Sequence, residues 1–284
     1  MSYRSLREFI AKLETARDLV RVREPVSTVL EMTEIQTRLL AEGGPAVIFE
    51  NALKADGTRS EIPVLVNLFG TVKRVAQGVT LGGVERTDAK ALREVGELLA
   101  TLRQPEPPRS IAEALEMVPL ARSVLAMKPK TVGGLMGRPA CQQIVLKGDN
   151  IDLGALPIQT CWPGEPAPLI TWPLVVTKGP SDSREDNFNL GIYRMQVLNK
   201  NQTIMRWLRH RGGAQQHRRW EKESRAPFPA AAVIGADPGT ILAAVTPVPD
   251  NVSEYQFAGI LRGARVELAE CVSQPLKVPR SEEH

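Results

Sequence analysis

The sequence predicts an α+β protein, with an α/β domain over residues 1–109 and a mainly β domain over residues 110–284. Two observations favour this division. Apolar residues in the first part change between helical and strand spacing, whereas the apolar runs of the second part are mostly short and strand-like. Between the two parts lies the segment Gln104-Pro-Glu-Pro-Pro-Arg109, whose prolines predict a stiff linker.

The first domain is predicted to begin as an α/β unit. Its apolar residues recur at helical spacing in three segments and form short strand-like runs in three others. The predicted helices cover residues 6–13, 32–39 and 88–102, and the predicted strands cover residues 19–26, 46–49 and 63–68. The second helix ends at Gly43-Gly44, a common way for a helix to stop. The last two strands are mostly apolar, which is typical of buried strands.

The second domain is predicted to start with a helix over residues 110–125 and to continue mainly with strands. Strands are expected over residues 141–146, 169–177, 229–235 and 264–272. A hairpin is also expected, because residues 192–197 alternate on a strand period, Lys200-Asn201 is a turn sequence, and residues 203–208 can form the return strand. This pairing would bring Arg194 close to Arg206.

Composition and charge restrict the class of protein. The chain has 284 residues, of which 43% are hydrophobic and 24% are charged, as in a folded globular protein. The net charge of +4 is mild and is concentrated in residues 206–219. We therefore predict a local anion site and no nucleic-acid tract.

Cysteine usage and hydropathy point to a reducing cytoplasm. The three cysteines are widely spaced, with no Cys-x-x-Cys, so neither a disulfide framework nor a thiolate zinc site is indicated. The N-terminal residues lack an apolar signal core, and no apolar run approaches the roughly 18 residues of a spanning helix. The sequence predicts a soluble or at most peripheral protein.

Basic and metal-binding side chains cluster around the predicted hairpin. The segments Asn189-Leu-Gly-Ile-Tyr-Arg194 and Met205-Arg-Trp-Leu-Arg-His-Arg-Gly-Gly213 contain an amide, four arginines, a histidine and a Gly-Gly pair expected to make a tight turn. Arginine binds a phosphate dianion through paired charge-assisted bonds, and glycine lets backbone amides approach the same anion. On charge alone, a solvated basic surface explains the pattern equally well.

Two neighbouring features constrain this interpretation. Ser253 and Gln256 have capping-box spacing, which predicts a helix that starts at Glu254 and holds its carboxylate at the positive end; complementing the helix dipole would by itself account for that residue. Strict alternation would put Asn189 and Arg194 on opposite faces of one strand. A bend near Gly191 is therefore required if both line one site.

The chain resembles the UbiD family of decarboxylases, which use prenylated flavin mononucleotide. The resemblance rests on the hairpin segments, on Val245-Thr-Pro-Val-Pro-Asp-Asn-Val-Ser-Glu-Tyr-Gln-Phe-Ala-Gly-Ile-Leu-Arg-Gly263, and on shorter motifs: Gly44-Pro-Ala-Val-Ile-Phe-Glu-Asn51, Val66-Asn-Leu-Phe-Gly70, Leu92-Arg-Glu-Val-Gly96, Gln104-Pro-Glu-Pro-Pro108, Thr160-Cys-Trp-Pro163 and Pro168-Leu-Ile-Thr-Trp172. Within the family, these motifs favour members that act on 4-hydroxy-3-polyprenylbenzoate in ubiquinone biosynthesis.

The resemblance implies a split β-barrel flavin-binding domain and a set of site residues. It implies a divalent metal, Mn²⁺ or Mg²⁺, held by Asn189, His210 and Glu254, with K⁺ nearby. It implies Arg194 as the catalytic residue, which binds the substrate carboxylate and controls a neighbouring acid. The implied cofactor contacts are Ile192, Tyr193, Arg194, Arg206, Trp207, Leu208, Arg211 and Gly212. For Trp207, ordinary core packing remains an alternative.

The resemblance also implies partners. These are an aromatic acid substrate, a flavin prenyltransferase that supplies the cofactor, further copies of the chain in a homo-oligomer, and peripheral contact with the inner membrane through a polyprenyl substrate. A nucleic-acid partner, which would use the arginines of residues 206–219 with Trp207, is disfavoured because no further basic or aromatic stripe exists.

The family's two catalytic carboxylates are expected downstream of Val278-Pro-Arg280. The sequence continues only as Ser-Glu-Glu-His284, and Glu282 and Glu283 lack the matching context. A shortened family member is therefore expected. The alternative to a decarboxylase is a catalytically inactive flavin- and metal-binding fragment or scaffold.

Overall fold

The fold is described from a computed structural model for residues 3–81, 84, 86–104, 125–133, 138–180, 188–249 and 252–280. Both helices and strands occur throughout, which agrees with the predicted α+β class. The helices are α1 (Leu6–Thr15), α2 (Glu31–Ala41), α3 (Val72–Gly78), α4 (Ala89–Arg103), α5 (Gly212–Glu223), α6 (Pro238–Val245) and α7 (Glu254–Arg262). Of this part of the chain, no helix is both long and apolar enough to cross a membrane.

The strands are short and belong to several small sheets. In the first half they are β1 (Leu19–Val22), β2 (Val26–Ser27), β3 (Ala46–Phe49), β4 (Ala52–Leu53) and β5 (Val64–Val66). In the second half they are β6 (Lys130–Thr131), β7 (Leu169–Ile170), β8 (Leu174–Lys178), β9 (Phe188–Ile192), β10 (Met195–Asn199), β11 (Gln202–Met205), β12 (Ala230–Val233), β13 (Glu267–Glu270) and β14 (Lys277–Pro279).

The N-terminal sheet has the order β1-β3-β5 and carries α1 on one side. The Ser5 side chain caps α1, and Phe9 and Leu13 on its inner face are fully buried. They pack in one cluster with Leu19 of β1 and Ile48 of β3. This packing explains why the helical spacing of apolar residues in residues 6–13 predicted α1 correctly.

Helices α3 and α4 reach from the N-terminal half into the main core. Val79, just after α3, and Leu98 of α4 share one cluster with the strands and helices around the site. The Thr80 amide donates to the Leu261 carbonyl over 2.9 Å, which ties this segment to α7. The domain boundary predicted at residue 109 lies outside the described residues, as does the predicted helix over residues 110–125 apart from its last residue.

Three sheets build the second half, in the orders β12-β8-β9, β11-β10-β7 and β14-β13-β6. The first is the most buried, and Val175 and Val176 of β8 are at most 1% exposed. Strands β8 and β9 are antiparallel, with Thr177 directly opposite Asn189. The predicted hairpin is confirmed, because β10 pairs with β11 and Met195 lies opposite Met205.

Several strand predictions need correction. The strand over residues 141–146 is wrong, since Ala140–Gln142 form a 3-10 helix and Ile144 and Leu146 are exposed. None of the strands in the described part of the chain pairs with this apolar run, and without a partner its backbone gains nothing from an extended form.

Two other predicted strands are each divided between two sheets. Residues 19–26 form β1 and the first residue of β2, and residues 169–177 form β7 and most of β8. The second division falls next to Pro173, which has no amide proton for a ladder.

Candidate functional site

A cavity of about 1090 Å³ lies where β9, the chain after it, the N-terminus of α5 and the N-terminus of α7 meet. Such a volume is at the upper end for small-molecule sites. The residues that line it include ten of the predicted site residues: Asn189, Ile192, Tyr193, Arg194, Arg206, Leu208, His210, Arg211, Gly212 and Glu254. The structure thus brings nearly all of the predicted set to one place.

Asn189 is held at the buried side of the cavity by its cross-strand partner. Its Nδ2 donates to the Thr177 Oγ1 over 3.3 Å, and the Thr177 hydroxyl donates to Gln216 Oε1 over 2.7 Å. The three residues are 9%, 0% and 5% exposed in the order Asn189, Thr177, Gln216. The asparagine amide is therefore fixed by a buried polar chain.

The N-terminus of α5 closes the cavity from another side. Gly212 and Gly213 open this helix, so the predicted tight Gly-Gly turn is wrong and the pair lies at a helix start. A Cβ on Gly212 would lie 2.0 Å from Asn189 Oδ1, so only glycine lets the helix approach this closely. The Gly213 amide donates to the Tyr193 hydroxyl over 3.1 Å, whereas Arg211 at the N-cap position makes no side-chain capping bond.

Glu254 lies at the first position of α7, as the capping box predicts. Ser253 and Gln256 exchange both bonds of that box, which confirms the prediction. The Leu190 amide donates to Glu254 Oε2 over 3.1 Å, which brings the carboxylate beside Asn189 on β9. Burial raises the pKa of Glu254 to about 7, against the opposing effect of the backbone amides of Leu190 and Glu254.

Arg194 lies where the chain passes from one sheet to the other. Strand β9 ends at Ile192 and β10 begins at Met195 in a different sheet. The bend that lets Asn189 and Arg194 line one cavity therefore follows Ile192, and no bulge at Gly191 is needed. The Arg194 guanidinium lies 5.9 Å from the ring centre of Trp162.

The Trp207 ring packs away from the cavity. It makes edge-to-face contacts with Tyr193, His217 and Phe228 at centroid distances of 5.9, 5.5 and 5.7 Å. Its neighbours Arg206 and Leu208 line the cavity instead. This geometry favours the core-packing alternative for its side chain, and any cofactor contact at this position would involve the backbone.

The sequence did not identify the side chains behind the site. Thr177 was predicted only as part of a strand, and Gln216 only as part of a basic region. Arg219 lines the cavity but was not predicted as a site residue. Their roles depend on the register of β8 with β9 and on how α5 packs across them, which local spacing does not reveal.

The donor set suits a hard divalent cation. Asn189 and Glu254 offer oxygen and His210 offers imidazole nitrogen, a combination compatible with Mn²⁺ or Mg²⁺. A buried carboxylate with a raised pKa is also a group that a cation would stabilise in its charged form. Within the described ranges, no three His, Cys, Asp or Glu side chains form a cluster, so such a site depends on the asparagine amide.

The basic residues and open helix N-terminus fit a phosphate. Arg206, Arg211 and Arg219 line the cavity beside the start of α5. Backbone amides and the dipole at such a helix end favour an anion. The cavity is therefore suited to a phosphorylated ligand next to a cation.

Family comparison agrees with this geometry. Residues 135–284 match the family described as 3-octaprenyl-4-hydroxybenzoate carboxy-lyase Rift-related domain, and residues 10–99 match the corresponding N-terminal domain. The two matched regions thus define a UbiD-type protein. The chain belongs to the UbiD family.

Known structures of similar fold come from the same class. The chain is similar to vanillic acid decarboxylase of Sedimentibacter hydroxybenzoicus in its closed form, with a TM-score of 0.79, 25% identity, and coverage of 100% of this chain and 54% of that one. For an evolved dimeric form of the UbiD-class enzyme HmfF from Pelotomaculum thermopropionicum in complex with prFMN, the TM-score is 0.74, identity is 24%, and coverage is 99% and 56%.

A third similar structure is the apo 3,4-dihydroxybenzoic acid decarboxylase of Klebsiella pneumoniae. Its TM-score is 0.72, identity is 21%, and coverage is 99% of this chain and 53% of that one. The chain spans about half the length of each of these three proteins. At the lower identities the likeness concerns the fold alone.

Proposed function

We propose that this chain forms the flavin- and metal-binding part of a UbiD-class decarboxylase that acts on an aromatic acid. The main support is the convergence of an uncapped helix N-terminus, several arginines and a buried carboxylate on one large cavity. The family to which the chain belongs adds the choice of ligand, since a UbiD-class relative of similar fold is in complex with prFMN.

The cofactor phosphate is assigned to the start of α5. Arg206 and Arg211 supply positive charge, and Gly212 lines the cavity as the first residue of the helix. Charge-assisted bonds from arginine to phosphate are among the stronger polar contacts. Ile192 and Leu208 offer apolar contacts along the same cavity.

The metal is assigned to Asn189, His210 and Glu254, next to that phosphate. The cation, Mn²⁺ or Mg²⁺, would neutralise the Glu254 carboxylate and one side of the phosphate together. This explains why a buried acid is tolerated in a cavity that otherwise binds an anion. K⁺ near this site stays a prediction.

Arg194 is assigned to the substrate. Arg194 lines the cavity, and its planar guanidinium is suited to a carboxylate. Binding there would orient the acid so that its C–C bond to the carboxylate can break, with CO₂ leaving as a neutral molecule and the electron pair of the bond remaining on the ring carbon. Bound prenylated flavin supplies the electron sink for this chemistry.

The finer identity of the substrate follows from sequence resemblance. The motifs favour 4-hydroxy-3-polyprenylbenzoate and hence ubiquinone biosynthesis. Cofactor supply by a flavin prenyltransferase, assembly into a homo-oligomer and contact with the inner membrane are predictions of the same origin.

A flavin-binding experiment tests the proposal. Purified Arg206→Ala chain should bind FMN about 10-fold or more weakly than the unaltered chain, because one charge-assisted bond is lost. Quenching of flavin fluorescence on titration measures this affinity. Arg209→Ala is the matched control, since Arg209 has the same charge three residues away but is not among the lining side chains of the described cavity.

Equal FMN affinity of the Arg206→Ala, Arg209→Ala and unaltered chains would contradict the phosphate placement. Failure of the unaltered chain to bind either FMN or prenylated FMN in the presence of Mn²⁺ would refute the proposed function itself. Loss of binding in Arg206→Ala alone would support it.

A further inference from the structure

We propose that Thr177 and Gln216 are positioning residues that orient the Asn189 amide with its oxygen toward the cation site. This inference rests on the proposed function, because it concerns the same metal site. It goes further by assigning roles to two buried residues that do not bind the metal themselves.

The first step is the position of Thr177. Thr177 and Asn189 are direct cross-strand partners in β8 and β9, so their side chains stand side by side on the same face of the sheet. The Asn189 Nδ2 lies 3.3 Å from Thr177 Oγ1. Thr177 is fully buried, and water therefore does not replace this contact.

The second step is the direction of the hydrogen bonds. A hydroxyl has one proton and two lone pairs. Thr177 donates its proton to Gln216 Oε1 over 2.7 Å, so that it presents only lone pairs to Asn189. The amide must then turn its NH₂ group to Thr177, and its oxygen is left at the opposite end.

The third step is where that oxygen lies. Asn189 Oδ1 occupies the space that a side chain at residue 212 would need, 2.0 Å from the Cβ position of Gly212. Asn189, Gly212 and Glu254 all line the cavity. The hydrogen-bond chain from Gln216 through Thr177 thus keeps the amide oxygen at the cavity, against the first residue of α5.

Orientation matters because the two ends of an amide are unlike for a metal. The oxygen has lone pairs for a hard cation, whereas the NH₂ group offers only protons. An unfixed asparagine would present its NH₂ group to the cation part of the time. Outer groups that fix a ligand in this way commonly change metal affinity by about 10- to 100-fold when they are removed.

Mn²⁺ binding provides the test, with free Mn²⁺ measured by electron paramagnetic resonance in the presence of FMN. Thr177→Val keeps the shape but removes the hydroxyl, and we expect its Mn²⁺ affinity to fall by about 10- to 100-fold. Thr177→Ser keeps the hydroxyl and should restore affinity close to that of the unaltered chain. Thr203→Val on β11, away from the cavity, is the control for replacing a strand threonine and should bind Mn²⁺ normally.

Gln216→Met removes the acceptor without touching the strand pair. It frees the Thr177 proton to approach Asn189, and we expect weaker Mn²⁺ binding in this variant as well. Because the change lies on a helix, this variant also decides the matter if Thr177→Val does not fold.

The outcomes separate the two ideas. If the unaltered chain binds Mn²⁺ and Asn189→Leu does not, the proposed metal site is supported. In that case, equal Mn²⁺ affinity of Thr177→Val and Thr177→Ser would overturn the positioning role while leaving the metal site intact. Normal Mn²⁺ affinity of Gln216→Met would do the same. If the unaltered chain binds no Mn²⁺, or Asn189→Leu binds it normally, the proposed metal site fails and the inference fails with it.

Discussion

Two helices begin at the same cavity, and they begin in opposite ways. Helix α7 has a complete capping box, in which Ser253 and Gln256 satisfy each other's backbone groups, and it presents the Glu254 carboxylate. Helix α5 starts at Gly212 after Arg211, whose side chain makes no capping bond, and of its first amides that of Gly213 donates to the Tyr193 hydroxyl. Capping normally stabilises a helix end, so the second helix lacks a contribution that the first one has.

The difference is informative about ligands. An uncapped start flanked by arginine favours an anion, which can take the place of the cap. A capped start with a carboxylate in its first turn favours a cation, once that carboxylate is ionised. The two ends together define a place for a cation beside an anion, which is the arrangement of a metal-bound phosphate.

The largest expected effect concerns a third helix, α6, and its capping residue Asp237. Asp237 Oδ1 accepts from the Thr240 amide over 3.1 Å, and Asp237 Oδ2 lies 3.4 Å from Arg262 Nη1 in a pair that is 2% and 9% exposed. Asp237→Ala would leave Arg262 buried without its partner, so we expect the free energy of unfolding in urea to fall by about 3 to 5 kcal/mol.

The control for this prediction is Asp88→Ala, which removes the exposed cap of α4. It should cost only about 1 kcal/mol. A similar small loss in both variants would mean that the Asp237–Arg262 pair adds nothing beyond an ordinary cap.

The next prediction concerns Glu254 in the metal-free chain. The pKa of about 7 is above the ordinary value of 4.5, so the folded chain keeps a proton that the unfolded chain releases as pH rises from 4.5 to 7. Stability is therefore fully present below pH 4.5 and is lost as pH approaches and passes 7. Glu254→Gln should avoid this loss, which amounts to at most about 3 kcal/mol. Thermal unfolding at several pH values with a chelator measures the difference.

Glu267 supplies a control of opposite sign. The hydrogen bond from Lys130 is the largest cause that lowers its pKa; burial acts against it, and the hydrogen bond from Arg280 adds to the lowering. Its stabilising contribution is present above pH 4.5 and is lost as pH falls through the lowered value. Glu267→Gln should therefore be the less stable variant near neutral pH. The same pH trend in Glu254→Gln and Glu267→Gln would contradict the assignment of burial as the main cause at Glu254.

A smaller effect is expected from a single methyl group at the start of α5. In Gly212→Ala the new Cβ would meet Asn189 Oδ1 at 2.0 Å, so the amide or the helix must shift. Such overpacking typically costs about 1 to 3 kcal/mol, and Mn²⁺ binding should weaken with it. Gly96→Ala in α4 is the control, since nothing lies within 4 Å of its Cβ position. There alanine should stabilise the helix, and equal behaviour of the two variants would argue against close contact at Gly212.

A helix end was predicted correctly when the residues that fix it are close together in the sequence. The capping box at Ser253 was predicted correctly because its two partners are three residues apart. The Gly212-Gly213 pair was mistaken for a turn because glycine has a low helix propensity. Tertiary packing decides there, since only glycine allows α5 to approach Asn189.

The support behind the site could not be predicted from one sequence. Thr177 faces Asn189 only because of the register between β8 and β9, and Gln216 meets Thr177 only because α5 packs across both strands. Nothing local to any of the three residues encodes these contacts. The metal- and cofactor-binding residues, in contrast, were predicted from motif resemblance, and nearly all of them line the cavity.

The smallest stability effects come from exchanging the properties of the two helix ends. Ser253→Ala removes the cap of α7 and should lower the free energy of unfolding by about 1 kcal/mol. Arg211→Ser does the reverse at α5, because Arg211 has the extended backbone of a capping residue and a serine there could accept from the helix amides. It should raise the stability of the ligand-free chain by up to about 1 kcal/mol. It should also weaken FMN binding by about 10-fold or more, since a cation is lost and the amides acquire an internal partner.

Urea unfolding without ligand and FMN titration, performed on both variants, measure the two effects. If Arg211→Ser were less stable and still bound FMN normally, the start of α5 would not be an open anion site, and the contrast between the two helices would have no functional meaning.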